Sequence, residues 1–158
     1  MSRMEPKQSP IDLAEARKSD VRTQFATLCF RMVRGKPEVL LVTSRGSKRW
    51  IIPKGWPMDG KTPSESAQIE AWEEAGVHGK MYDRVLGLFS YRKDVGPERG
   101  VPCVAMVYAM KVKKIERDYP EAKQRKRKWL RPKKAAALID DAELAQMVRN
   151  FDPAVLTK

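Results

Sequence analysis

Glu70, Glu73 and Glu74 stand at i, i+3 and i+4. If the segment is helical, at about 100° of rotation per residue these carboxylates share one stripe. Ile69, Ala71, Trp72 and Ala75 fall on the remaining arc, giving such a helix an apolar side to bury. Like charges crowded together destabilise a fold unless something offsets them. A hard divalent cation does this well, because Mg²⁺ prefers oxygen ligands, keeps several waters and binds through a few carboxylates together with substrate phosphates. A purely solvated helix face is the alternative that helix composition alone would favour.

The stripe needs a helix to carry it and a loop to face it. Thr62 is a good N-cap, Pro63 suits the first helical position and Glu65 falls at the third, so a capping box opens the helix and Gly76 supplies a left-handed stop. The preceding stretch from Pro53 to Pro63 holds Gly55 and Gly60 among prolines and reads as a loop whose backbone can approach a ligand. Upstream, QFATLCFRMV and EVLLVTSR are strand-like runs around Arg34-Gly35-Lys36-Pro37, which predicts a hairpin, and RWIIP adds a short third strand. Downstream, KMYDRVLGLFSYRK, VPCVAMVYAMKV and KRKWL read as further strands. After Pro132, one helix or two short ones follow, the second capped by Asp140 or Asp141, with Ala135, Ile139, Ala142 and Ala145 as the stripe expected to cover the sheet. This order predicts an α/β fold, a mixed sheet with helices on both faces, over residues 22–151. Residues 1–21 read as a flexible arm and 152–158 as a tail.

Composition bounds the function. Of 158 residues, 32 are Lys or Arg and 20 are Asp or Glu, for a net charge of +12, so the expected partner is anionic. The longest apolar run, Cys103 to Met110, falls far short of the roughly 20 residues that span a bilayer, so no membrane role is expected. The N-terminal residues lack an apolar signal core, which points to the cytoplasm. Cys29 and Cys103 each sit inside an apolar run, as reduced core thiols do.

Gly55, five residues, Lys61, seven residues, then Ile69-Glu70-Ala71-Trp72-Glu73-Glu74-Ala75-Gly76-Val77 resembles the signature of the Nudix hydrolases. Lys61 stands where that pattern has Glu, and Ile69 where it has Arg. In the family those two side chains form an ion pair between loop and helix. Losing both leaves no orphan charge, and the Thr62–Glu65 capping box offers another way to fix the junction. TLCFR, EVLLVTSR, RWIIPKGWPMDG, EAWEEAGV and RKWL look most like the diphosphoinositol polyphosphate phosphohydrolase branch.

The resemblance implies a Nudix-type α/β/α sandwich. It also implies hydrolysis of phosphoanhydride bonds in diphosphoinositol polyphosphates or dinucleoside polyphosphates. Glu70, Glu73 and Glu74 would be catalytic and metal-binding, with the Gly55 carbonyl as a further ligand and Mg²⁺, or Mn²⁺ in its place, as the cofactor. One of these glutamates, or Asp94 or Glu98 in a later loop, would act as base. Arg31 and Arg127 match phosphate-contacting positions of the branch by motif, and Arg45, Arg49, Lys54 and Arg92 are added by proximity to the loops. Lys123, Arg125, Lys126, Arg127 and Lys128 form the densest basic cluster, beside Trp129. RNA, as a 5′ pyrophosphohydrolase substrate or as the ligand of a non-catalytic Nudix-like module, is the weaker alternative partner, and solvated strand-edge charge is the plainer reading of that cluster. Trp56 is a candidate for stacking on a ring. Nothing in the sequence addresses oligomeric state.

Overall fold

A computed structural model describes residues 22–93, 96–97 and 99–157. Its centre is β1 (Thr23–Val33), hydrogen-bonded antiparallel to β2 (Lys36–Thr43) through a two-residue turn. Arg34 and Gly35 both adopt positive φ there, 55° and 76°, the geometry whose twist suits a tight hairpin. Lys36 and Pro37, expected in the turn, already belong to β2.

The sheet runs β3 (Trp50–Ile51), β2, β1, β6 (Pro102–Ile115), β5 (Val77–Arg92). Two further strands pair on it, β4 (Lys54–Gly55) with β1 and β7 (Arg127–Leu130) with β2. β1 and β6 are parallel and the other pairs antiparallel, so the sheet is mixed as expected.

β1 is buried along most of its length because helices cover both faces of the sheet. On one face α1 (Pro63–Ala75) packs Ala71 and Ala75 with Cys29, Leu40, Val42 and Met110. Ala67 packs with Phe25 and Tyr108. On the other face α2 (Pro132–Leu138) and α3 (Ala142–Arg149) close over Ala26, Leu28, Phe30 and Val107. This is an α/β/α sandwich.

The C-terminal helical region differs in detail from expectation. It breaks at Ile139, and Asp141 caps α3 by accepting from the Leu144 N–H at 2.9 Å. The break rotates α3, so Leu144 and Val148 carry its buried stripe and Ala142 is exposed. Past α3, Pro153–Thr157 makes a short 3-10 turn whose Leu156 packs against the core.

Cys29 and Cys103 are buried free thiols, and burial pushes the Cys29 thiol up to about 12. No helix among the described residues is long and apolar enough to cross a membrane.

Candidate active site

The loop between β4 and α1 is held at both ends. At one end Gly55 pairs with Phe25 and Lys54 with Ala26, fixing a two-residue strand that has no periodicity of its own. At the other the capping box forms: Thr62 Oγ1 accepts from the Glu65 N–H at 3.2 Å, and Glu65 Oε1 accepts from the Thr62 N–H at 2.9 Å. Those bonds hold the Glu65 carboxyl below its usual range. Lys61 is exposed and Ile69 half-buried, and this doubly bonded helix start stands where the signature's ion pair would be. Gly76 closes the helix in the left-handed region at φ 67°, where its N–H donates to Trp72 O.

α1 does not divide into an apolar side and a wet acidic side. Its buried residues are Ser64, Ser66, Ala67, Ala71, Glu74 and Ala75, while Ile69 and Trp72 are only half-buried. Glu74 therefore lies in the seam between helix and sheet, where its Oε1 accepts from the Lys54 N–H at 3.3 Å. Glu70, one turn earlier, packs on the Gly55 backbone so closely that a Cβ at position 55 would run into its carboxyl group. Glycine is required there for close approach rather than for an unusual φ.

Burial dominates the electrostatics of this pair. Desolvation, followed by the charges of Glu74 and Glu73, pushes Glu70 up to about 9. Desolvation also raises Glu74, against the opposing pull of Arg125 and Lys54. Two carboxylates in one dry seam resist being ionised together.

Arg125 is the guanidinium that reaches Glu74, with its side chain only 6% exposed. It lies 3.5 Å from Glu74 Oε2, donates to Glu121 Oε1 at 3.1 Å and to Thr43 O at 3.0 Å. Glu121 is tied to the helix in turn, its N–H donating to Glu73 O at 2.9 Å. Arg45 approaches Glu121 at 3.5 Å. Arg45, Lys54, Lys93 and Arg125 thus gather with Glu74, Ser44 and Tyr91 around a cleft of about 60 Å³. Lys54 Nζ sits 4.5 Å from the Tyr91 ring centroid.

The structure brings some predicted residues together and not others. Gly55, Glu70, Glu74, Lys54 and Arg45 converge. Arg49 lines a neighbouring cavity with Trp50, Lys54 and Tyr91, its Nε donating to Ser47 Oγ at 2.8 Å. Arg92 donates to Gly100 O at 2.8 Å and lines a wider cavity on the far side of Tyr91. Arg31 is bound to Glu38 at 2.8 Å and stacks 4.2 Å over Trp129. It stands six residues along β1 from Phe25, the partner of Gly55, or roughly 20 Å at 3.3–3.4 Å per residue. Arg127 donates to Ala75 O and Glu116 O, both at 2.8 Å, and so closes the end of α1. Trp56 carries Lys93 5.8 Å from its ring centroid. Asp94 and Glu98 lie outside the described residues.

Tyr91 and Lys93 in the cleft, and Glu121 behind Arg125, are residues that sequence reasoning did not single out, and it placed Arg125 only in the basic cluster. Glu121 and Arg125 had a legible signal, an acid and a base four residues apart, but only the β2–β7 register turns Arg125 toward Glu74 and leaves Arg127 at the helix end.

Among the described residues no three carboxylate, thiol or imidazole groups gather as a ready-made ion cage. The donor set in place is all oxygen: the Glu70 and Glu74 carboxylates beside the Gly55 backbone, with Glu73 on the adjoining turn. Two carboxylates and an open side fit Mg²⁺, which takes its remaining ligands from water and phosphate, better than an ion that needs a full protein cage.

Comparison with known proteins shows the family and the fold. The NUDIX domain family model matches residues 22–151. Nudix hydrolase 12, mitochondrial, of Arabidopsis thaliana is 39% identical over 106 residues, covering 65% of this chain and 52% of that protein. The chain therefore spans about half the length of that plant relative. Human diphosphoinositol polyphosphate phosphohydrolase 3-alpha is 34% identical over 120 residues, covering 75% of this chain and 69% of the relative. The crystal structure of the C. elegans Ap4A hydrolase shares the fold at a TM-score of 0.64 and 20% identity, covering 85% of this chain and 98% of that one. With its capped helix, its glycine-backed glutamates and a family match over nearly the whole described sequence, the chain belongs to the Nudix family.

Proposed function

We propose that the protein is a Mg²⁺-dependent pyrophosphohydrolase that cleaves phosphoanhydride bonds in highly phosphorylated small molecules, namely diphosphoinositol polyphosphates or dinucleoside polyphosphates. The observation that carries this reading is the half-buried Glu70 packed against Gly55 beside the buried Glu74, which faces a cleft whose other walls are Lys54, Lys93, Arg45 and Arg125. A seam of raised carboxylates calls for a cation, and a ring of basic side chains calls for an anion. A phosphate chain carrying a divalent ion is both.

Glu70, Glu74 and the Gly55 carbonyl would hold the ion, with Glu73 completing the set. When bound, Mg²⁺ supplies charge neutralisation of the phosphoryl oxygens and activation of the attacking water. Arg45 and Lys93 meet the phosphates from the open side, Arg as a fixed fork and Lys as a mobile point charge. Arg125 is held at the cleft wall by Thr43, Glu74 and Glu121, which pre-organises its guanidinium for an anion. Phosphoryl transfer needs little from the protein beyond positioning and charge, which is what this cleft offers. A reducing compartment such as the cytoplasm suits the two buried free thiols.

A panel of an inositol pyrophosphate, diadenosine tetraphosphate and triphosphorylated RNA, assayed for product with Mg²⁺ and with chelator, tests the proposal. Fast Mg²⁺-dependent turnover of one of the small molecules is expected. Fastest turnover of RNA, or turnover indifferent to chelator, would overturn it.

A further inference from the structure

The cleft at Glu74 is narrow, about 60 Å³, and the bulk of any polyphosphate substrate must lie outside it. Arg125 also walls a second and larger cavity, of about 290 Å³, lined by Lys48, Trp50, Lys123, Gln124 and Lys126. Among the described residues no acidic one lines it. Lys48, Lys123 and Lys126 are exposed, and among the described residues none of their ammonium groups pairs with a carboxylate. The Arg125 guanidinium, by contrast, is engaged by Glu74 and Glu121. Three uncompensated cations around one hollow repel one another and attract a polyanion. Lys48 is also held at φ 56°, a conformation unfavourable for a residue with a side chain.

One wall is flat. Trp50 is half-buried on β3 and edges this cavity. An indole beside ammonium groups suits a ligand that is a planar ring at one point and an anion at another. A nucleoside phosphate has both features, and a phosphorylated inositol has only the second. The backbone that shapes the cavity is well fixed: the Lys126 N–H donates to Thr43 Oγ1 at 2.9 Å and Lys126 O accepts from the Thr43 N–H at 3.1 Å.

Resting on the reading above, we propose that this basic cavity is a second anion subsite that seats the nucleoside-phosphate end of a nucleotide polyphosphate, Lys48, Lys123 and Lys126 on the phosphates and Trp50 on the base. Its scissile bond would then lie across Arg125, at Glu70 and Glu74. The basic cluster that reads in the sequence as strand-edge charge acquires a specific task.

Calorimetric titration with ATP and with tripolyphosphate, in Mg²⁺-free buffer at low salt, tests this. Lys123→Ala/Lys126→Ala alters only exposed side chains and leaves the backbone bonds to Thr43 intact, so the fold is retained. That variant should weaken both ligands at least ~10-fold, since two charged contacts are lost. Trp50→Leu should weaken ATP ~5-fold or more while leaving tripolyphosphate within about twofold, because only ATP carries a ring to stack. Unchanged affinity in the double lysine variant overturns the subsite. An equal loss of both ligands in a folded Trp50→Leu overturns the nucleoside assignment, and if that variant fails to fold, competition by ADP against cytidine and inositol phosphates at the wild-type cavity decides it, with equal competition by inositol phosphate refuting the assignment. Glu70→Gln separates the two levels. If it keeps full turnover the hydrolase reading falls, and if it abolishes turnover but keeps ATP affinity the subsite stands by itself.

Discussion

Glu70→Gln tests the electrostatics of the site through proton linkage. In the metal-free protein Glu70 is raised from its ordinary 4.5 to about 9, by burial first and by the charges of Glu74 and Glu73 next. The folded state therefore holds a proton that the unfolded chain has released, and the contribution of Glu70 to stability is greatest below pH 4.5 and is lost as pH climbs toward 9. One extra proton in the folded state corresponds to about a tenfold change in the unfolding equilibrium per pH unit, or roughly 3 kcal/mol between pH 6 and 8. At about 2–4 °C per kcal/mol for a chain of this size, Tm should drop on the order of 10 °C across that interval. Glutamine imitates the neutral carboxyl, so Glu70→Gln should flatten this slope to what Glu74 contributes and melt above the wild type at pH 8. Mg²⁺ binding must expel the same proton, so affinity should rise about tenfold per pH unit. Scanning fluorimetry with chelator over pH 5.5–8 gives the stability, and calorimetry in buffers of different ionisation enthalpy counts the proton released. Parallel Tm slopes in wild type and Glu70→Gln, with no proton released on Mg²⁺ binding, would refute the reasoning.

Three further outcomes follow from the geometry. Glu74→Gln should lower turnover at least ~100-fold, the equivalent of roughly 3 kcal/mol of transition-state stabilisation, with near-normal rates at saturating Mg²⁺ as the contrary result in a phosphate-release assay. Gly55→Ala places a methyl where the Glu70 carboxyl lies, so the helix or the carboxyl must shift, and kcat should fall ~10-fold or more with a 1–3 kcal/mol loss in denaturant melts, of the order seen for overpacking. Arg127→Ala strips two charged hydrogen bonds from the end of α1 and should cost about 2–4 kcal/mol of stability while leaving KM within about twofold, whereas Arg125→Ala should raise KM and lower kcat together; equal kinetic effects of the two would contradict their assignment to helix end and cleft wall.

What could be read from the sequence was what is decided locally. The α1 start at Thr62, Pro63 and Glu65 and its stop at Gly76 depend on residues within a few positions of one another, and they form as expected. The sandwich and the convergence of Gly55 with Glu70 and Glu74 follow from strand and helix order together with the family signature. What was not legible depends on contacts between distant segments. Lys54–Gly55 is a strand only because β1 is there to receive it. Glu74 is buried because Lys54 crosses over it, although its place on the helix suggests a wet face. Arg31 and Arg127, which match phosphate-contacting positions by motif, are bonded to Glu38 and to Ala75 O and Glu116 O, and it is Arg125 that lines the cleft at Glu74. Ala142 and Leu144 exchange roles because Asp141 starts a new helix instead of continuing the old one.

The central claim is that Glu70 and Glu74, backed by Gly55, form the divalent-cation site. Titration of Mn²⁺ followed by electron paramagnetic resonance at pH 8, in which the signal of the free ion disappears on binding, measures it directly. The account predicts saturable uptake by the wild type and by Lys123→Ala/Lys126→Ala, reduced at least ~10-fold in affinity in Glu70→Gln and Glu74→Gln. Undiminished uptake in both glutamine variants would contradict it.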